Sequence, residues 1–287
     1  MPDTRFMKEK TKFRIMIAVF ACVTLVGALF AMIPLFRRVK TERMISREID
    51  RYNEIVLPAI RDYGPLWALI DGYNASLREN DSQFFTTDAE NEIIDGIMPQ
   101  IGNIIGYVSI PKIDVSLPLY RGLDESVLQA GAGWWPGSSF PAGGQGTHTV
   151  ISAHSGMTKA KMFTDLGELS EGDVFRISLL DRDLYYTVDQ IKTVTPDDIS
   201  DLYIIPGGDY ATLYTCTPLG VNSHRLLVRG VRTDAPAEEE PIRVTADAYI
   251  DKGVIAVMAA ASVTVIVLAA LAAAAGISGR KRRNGKG

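Results

Sequence analysis

Two stretches of the chain are predominantly apolar as well as free of charge: Ile15 to Phe36, which is 22 residues, and Gly253 to Ile277 near the opposite end. Each is long enough to cross a hydrocarbon core of roughly 30 Å, so the pattern predicts a transmembrane helix at each end. The first follows Arg5, Lys8, Lys10, Lys12 and Arg14 and ends in Pro34-Leu-Phe-Arg-Arg. A signal peptide has a shorter apolar region and a small-residue cleavage site, so a retained anchor is expected. The second is preceded by Asp247 and Asp251 and followed by Arg280-Lys-Arg-Arg-Asn-Gly-Lys286. The positive-inside rule then predicts a cytoplasmic C-terminus, and two spans bring the N-terminus to the same side. Residues from about 37 to 250 are expected outside the cell.

Between the spans the pattern changes twice. From Thr41 to Leu77 apolar residues recur at Ile45, Ile49, Tyr52, Ile55 and Val56, the stripe of an amphipathic helix. Pro58 and Gly64-Pro65 are expected to break it. Residues 78–100 show no clear period and read as an extended, partly exposed loop. Phe84 and Phe85 within it need a surface to sit on, either as a packing anchor or as a plug over a groove. From Ile104 onward short apolar runs alternate with Gly and Pro. Strands are predicted at 106–110, 115–120, 147–153, 174–179, 184–188, 191–194, 211–216 and 226–231, with a brief helical piece near 158–168. Eight short strands in this span predict a mainly β fold, a closed barrel or a sandwich, with short helices.

The expected organisation is therefore a cytoplasmic N-terminus (1–14), a transmembrane helix (15–36) and an extracellular helical segment with its loop (37–103). A β domain (104–233), an acidic linker (234–252), a second transmembrane helix (253–277) and a basic cytoplasmic tail (278–287) complete it. The net charge of -4 argues against a nucleic-acid partner, which calls for a basic face. There are two cysteines, and Cys22 lies inside the first apolar stretch, so the β domain has no disulfide framework. Three histidines without paired-cysteine spacing make a structural zinc site unexpected.

Chemistry concentrates in Ala211-Thr-Leu-Tyr-Thr-Cys216-Thr-Pro-Leu-Gly-Val-Asn-Ser-His-Arg225. A β run ends on a cysteine, turn residues follow, and the next apolar run begins on an arginine, which reads as a hairpin. Cys216 and Arg225 are then lateral neighbours, and a guanidinium beside a thiol favours thiolate. Read alone, Cys216 could be a small buried hydrophobe and Arg225 a surface cation. A cysteine nucleophile also needs an acid/base and an oxyanion donor. His224 directly precedes Arg225 and faces away from it on a regular strand. His148 and His154 lie on one strand face but roughly 20 Å apart at about 3.3 Å per residue, so only one belongs to the site. His154 stands at the strand's exit, in Ser152-Ala-His-Ser-Gly156.

With these residues in view, Thr212-Leu-Tyr-Thr-Cys216, Arg225 and the upstream His154 resemble the active-site signature of sortases, the cysteine transpeptidases of Gram-positive cell surfaces. Ala153-His-Ser-Gly, Lys161-Met-Phe-Thr-Asp-Leu, Gly106-Tyr-Val-Ser-Ile-Pro-Lys-Ile and the second apolar helix resemble the pilin-polymerising class C in particular. The resemblance implies an eight-stranded sortase-type β-barrel with Cys216 as nucleophile, His154 as acid/base and Arg225 as oxyanion stabiliser, with no metal or other cofactor. It implies cleavage of an LPXTG-like sorting signal between Thr and Gly, and transfer of the acyl group to a lysine amine of another pilin. Class C members commonly carry a lid with an Asp-Pro-aromatic motif, and this chain has no Asp-Pro dipeptide. The nearest match is Asp81-Ser-Gln-Phe84-Phe85, which predicts a variant lid: Asp81 meets Arg225, and Phe84 or Phe85 covers Cys216. Two other readings are a housekeeping-type sortase acting on a peptidoglycan amine and a catalytically inert membrane-anchored assembly or binding module.

Overall fold

The alternation that begins at Ile104 closes on itself. In the computed structural model, which describes residues 4–79, 83–85, 87–237, 259–260, 262–264 and 267, eight strands form a closed barrel. They are β1 (Ile104–Ile110), β2 (Val115–Arg121), β3 (Ala132–Trp134), β4 (Thr147–Ser152), β5 (Val174–Leu179), β6 (Arg182–Val194), β7 (Asp209–Thr217) and β8 (His224–Thr233). The order around the barrel is β1-β2-β3-β4-β7-β8-β6-β5, closed by β5 on β1. The β2–β3 and β4–β7 pairs are parallel. The barrel with short helices is the expected one, but its strands are not all those predicted. The two runs predicted at 184–188 and 191–194 are a single strand, β6, with an irregularity between Val188 and Gln190. A bulge adds a residue and flips the period-two pattern, so one strand reads as two. Asp189 sits at that bulge and accepts from Arg229 Nε at 3.1 Å and Nη2 at 2.7 Å. β3 was not predicted; three residues, Ala-Gly-Trp, are too few to show an alternation.

Alternation along β7 sorts its side chains between two apolar clusters. Ala211 and Leu213 join the main core with Trp134, Phe140, Ile151, Phe175 and Val228. Tyr214 instead joins a small second cluster with Val150, Leu202 and Leu227, against which Phe84 and Trp135 pack. Successive strand residues face opposite sides of a sheet, so Thr212, Tyr214 and Cys216 share the outer face of the barrel. The outer cluster is a floor beside Cys216.

Among the described residues the longer helices that precede or interrupt the barrel are α1 (Thr4–Arg51), α2 (Gly64–Glu79), α3 (Asp88–Ile101) and α4 (Glu125–Ala130). A π-helical segment (Tyr52–Val56) and a single helical turn (Leu57–Ala59) lie between the first two. Of the predicted stripe, Ile45, Ile49 and Tyr52 are buried, but Ile55 is 62% exposed and Val56 only half-buried. The helix widens to a π-helical turn over Tyr52–Val56, and the 3.6-residue period is lost there. Tyr52 bridges the β1 end and the β5–β6 turn, donating to the Ile105 carbonyl at 3.1 Å and accepting from Leu180 N at 3.0 Å. α2 is buttoned to the loop after β3. Asn74 Oδ1 accepts from Phe140 N at 2.7 Å, and Tyr73 OH accepts from Gly137 N at 3.0 Å. The segment read as an extended loop over 78–100 is largely helix α3. A capping box starts it: Glu90 N donates to Thr87 Oγ1 at 3.3 Å, and Thr87 N donates to Glu90 Oε2 at 2.8 Å. Ile94, Ile97 and Ile101 form its buried face. The Thr-x-x-Glu signal and the isoleucine spacing are both written in the sequence, diluted by the polar residues between them.

The expected transmembrane helix at each end is corrected: among the described residues, no helix is long and apolar enough to cross a membrane. At the N-terminal end the uncharged run is not a helix of its own. It is the middle of the 48-residue α1, whose helix continues without a break into the basic stretch Arg37, Arg38, Lys40 and Arg43. At the C-terminal end the described helical positions are 259–260, 262–264 and 267, and the rest of 253–277 lies outside the described residues. By internal contact the chain divides into two units, Met1–Val39 with Asp247–Gly287 and Lys40–Ala246; the second holds the barrel.

Candidate active site

The antiparallel register of β7 and β8 sets Cys216 directly opposite Arg225, with Thr217 opposite His224. Cys216 carries a free, partly exposed thiol. Arg225 is held at the rim by its own turn: Nη1 donates to the carbonyls of Asn222 at 3.0 Å and His224 at 2.9 Å. Beside it, Tyr214 is pushed up by burial, while the Arg225 guanidinium that it meets works the other way.

His154 reaches this end by the β4–β7 pairing. The two strands run parallel with Ser152 opposite Tyr214, and hydrogen bonds extend the pairing past the end of β4. Ala153 N donates to the Tyr214 carbonyl at 3.2 Å, Thr215 Oγ1 to the Ala153 carbonyl at 2.7 Å, and Ser155 Oγ to the Cys216 carbonyl at 2.7 Å. The backbone on both sides of His154 is thereby fastened along 214–216. The His154 carbonyl accepts from Phe163 N at 3.0 Å, which folds the following loop back. On the ring, Nε2 lies 3.2 Å from Glu125 Oε2. Glu125, on α4, was absent from the sequence-based site, and no spacing pointed to it because the contact is made only in three dimensions. Gln129, a turn further along α4, donates to Glu125 Oε1 at 2.8 Å. That bond, followed by the charge of His154, holds the Glu125 carboxyl below the usual carboxylate range.

The other two histidines sit elsewhere. His224 is exposed, with Nδ1 2.9 Å from Ser223 Oγ. His148 is fully buried on β4, with Nδ1 2.9 Å from the Tyr203 carbonyl and Nε2 2.7 Å from Thr212 Oγ1. Burial pushes its pKa down to about 4. An unfolded chain takes up this proton near pH 6.5, and the folded one only near 4. The stabilisation is therefore complete above about 6.5 and is lost as pH falls towards 4, an effect on the order of 3 kcal/mol. Urea unfolding at pH 7 and pH 4.5 should show a steeper loss for the native protein than for His148→Gln. Equal losses would remove His148 from the account.

Phe84 rests on the outer floor, with ring centroids 5.3 Å from Trp135 and 5.6 Å from Tyr203. Trp135 in turn meets Tyr214 at 5.5 Å. A contiguous row thus links Phe84 through Trp135 to Tyr214 and Arg225. Phe84 adopts φ 70°, left-handed backbone that is strained for a bulky residue, by about 1–3 kcal/mol. Its N–H donates to the Gly137 carbonyl at 3.1 Å. Gly137 itself has φ 90°, and a Cβ there would lie 2.6 Å from Phe84 Cα. Gln83 Oε1 accepts from Ile204 N at 2.8 Å. Phe85 points to solvent at 73% exposure, and Asp81 lies outside the described residues. Among the described residues no cluster of His, Cys, Asp or Glu is placed to hold a metal ion.

Residues 108–233 match the family model of the sortase domain. The chain is 29% identical over 150 residues to sortase D of Bacillus subtilis (strain 168), covering 51% of this chain and 72% of that protein. It is 31% identical over 119 residues to sortase A of Streptococcus agalactiae serotype III (strain NEM316), covering 40% of this chain and 47% of that one. Among solved structures, sortase C of Streptococcus pneumoniae, described in terms of catalysis and pilin substrate specificity, is similar at TM-score 0.59 and 41% identity. The match covers 67% of this chain and all (100%) of that one. Sortase C1 of Streptococcus agalactiae is similar at TM-score 0.61 and 40% identity, over 68% of this chain and 100% of its own length.

Proposed function

This chain belongs to the sortase family of cysteine transpeptidases, and we propose that it cuts an LPXTG-like sorting signal and joins the product to a pilin lysine. The observation that carries the reading is the meeting of two pairings at one end of β7. The antiparallel pairing with β8 puts Arg225 across from Cys216, and the parallel pairing with β4 brings the His154 segment alongside. The likeness to sortase C structures extends over two thirds of the chain and favours a pilin polymerase over a housekeeping enzyme.

In this mechanism the Cys216 thiol gives its proton to His154, and Sγ attacks the Thr carbonyl of the sorting signal. Arg225 donates to the oxygen that takes up the negative charge. The C–N bond to Gly breaks as His154 returns the proton to the leaving amine, and a thioacyl enzyme remains. The lysine amine of an acceptor subunit attacks the thioester, loses a proton to His154 and expels Cys216 as an isopeptide bond forms. Splitting one displacement into two through a good leaving group is what a thiol nucleophile offers. The donors are surface proteins, so the barrel works outside the cytoplasm. An LPXTG-like peptide supplied with either a pilin-derived lysine peptide or a peptidoglycan-derived amine tests the choice. Isopeptide product with the lysine peptide is expected. Product with the peptidoglycan amine alone supports the housekeeping reading, and no thioacyl adduct at all supports an inert module.

The lid belongs to the same reading. Phe84 seats the 83–85 turn on Trp135 and Tyr203, with Asp81 assigned to meet Arg225. Losing its aromatic contacts weakens the closed state by about 0.5–1.5 kcal/mol, and Gly137→Ala pushes on the same backbone. Both changes should raise the alkylation rate of Cys216 by about three- to tenfold. An unchanged rate in Phe84→Ala and in the Asp81→Ala/Phe84→Ala double variant would show that nothing covers the thiol.

A further inference from the structure

We propose that Glu125 is a positioning residue for the His154 imidazole, an inference that rests on the transpeptidase reading. The carboxylate approaches one ring nitrogen only: Glu125 Oε2 lies 3.2 Å from His154 Nε2. The carboxylate is itself braced. Gln129 Nε2 donates to Glu125 Oε1 at 2.8 Å, and Lys159 Nζ donates to Gln129 Oε1 at 3.3 Å. The row Lys159–Gln129–Glu125–His154 runs from a cation through an amide and a carboxylate to the imidazole. It ties α4 to the loop after His154.

An imidazole has two distinct nitrogens, and the partner of one decides the role of the other. With Nε2 turned to an acceptor, the neutral ring carries its hydrogen there. Nδ1 is then the nitrogen that takes the proton from the Cys216 thiol and returns it to the leaving amine. The backbone on both sides of His154 is fixed by its hydrogen bonds to 214–216, but those bonds leave the ring free to turn about its side-chain torsions. Glu125 removes that freedom. The pair is partly solvated, with side-chain exposures of 28% for His154 and 67% for Glu125. Its effect belongs to the range of surface ion pairs, about two- to fivefold in rate, rather than that of a buried triad carboxylate.

The test uses the full chain and three forms: native, Glu125→Ala and Glu125→Gln. Long-range nitrogen–proton correlation spectra report the ring tautomer directly. Native His154 should be mainly the Nε2–H form. Glu125→Ala should shift population towards Nδ1–H and lower kcat/KM about two- to fivefold through kcat, with KM unchanged. Glu125→Gln, whose amide oxygen can still accept from Nε2–H, should recover most of both. A Glu125→Ala protein with the native tautomer ratio or native kcat/KM overturns the role of Glu125. A native protein that forms no thioacyl adduct overturns the transpeptidase reading instead, and the two failures are read in separate measurements.

Discussion

Cys216→Ala is expected to leave no thioacyl adduct when the protein meets an LPXTG-like peptide, and to reduce turnover to background. The whole pathway runs through one Sγ, and alanine offers no atom that can form the acyl bond. The only other cysteine of the chain, Cys22, is in α1 and is not part of the β7–β8 pairing that sets Cys216 opposite Arg225. Because the Cys216 side chain is only partly buried, its loss should leave the melting temperature nearly unchanged, which separates lost chemistry from lost fold. Intact-mass measurement after incubation with the peptide reads the result. A residual adduct on Cys216→Ala would mean that another nucleophile does the work.

Arg225→Ala should lower kcat/KM by about 10²–10³, the loss typical of one oxyanion donor, and Arg225→Lys should recover little of it. The guanidinium is oriented by two backbone carbonyls of its own turn while facing Cys216 across the strands. A lysine keeps the charge, but it lacks the planar fork that can grip two carbonyls and still present a donor. The loss should fall on kcat if the contact forms mainly as charge develops in the transition state. Tyr214→Phe serves as the control, since Arg225→Ala also strips Tyr214 of its neighbour. Steady-state peptide cleavage measures all three. A loss below about fivefold in Arg225→Ala would assign the oxyanion to another donor.

Where sequence and structure agree, the governing interaction is local. Cys216 and Arg225 were legible as neighbours because a hairpin makes partners of residues on either side of one turn. The stripe at Ile45, Ile49 and Tyr52 was legible because helix burial repeats within a few residues. The strand reading failed where locality failed. The bulge in β6 inverted the alternation, and β3 exists only because β2 and β4 flank its three residues. α3 differs: its capping box and its buried isoleucines are both local, but the polar residues between them mask the helical period.

The uncharged stretches carry the opposite lesson. Absence of charge over 22 residues predicted a separate span, but helical hydrogen bonding does not stop where apolarity does. α1 therefore runs on through the basic residues as one element.

By itself, the sequence determined the β-rich character of residues 104–233, the hairpin that pairs Cys216 with Arg225, and the family signature around them. Each is written in residues close together along the chain. The tertiary structure decided the remainder: the parallel pairing that carries His154 to Cys216, the floor of Trp135, Tyr203 and Tyr214 beneath Phe84, and Glu125 against the imidazole. These contacts join segments tens of residues apart. Chain closure brings them together, and no periodicity records it.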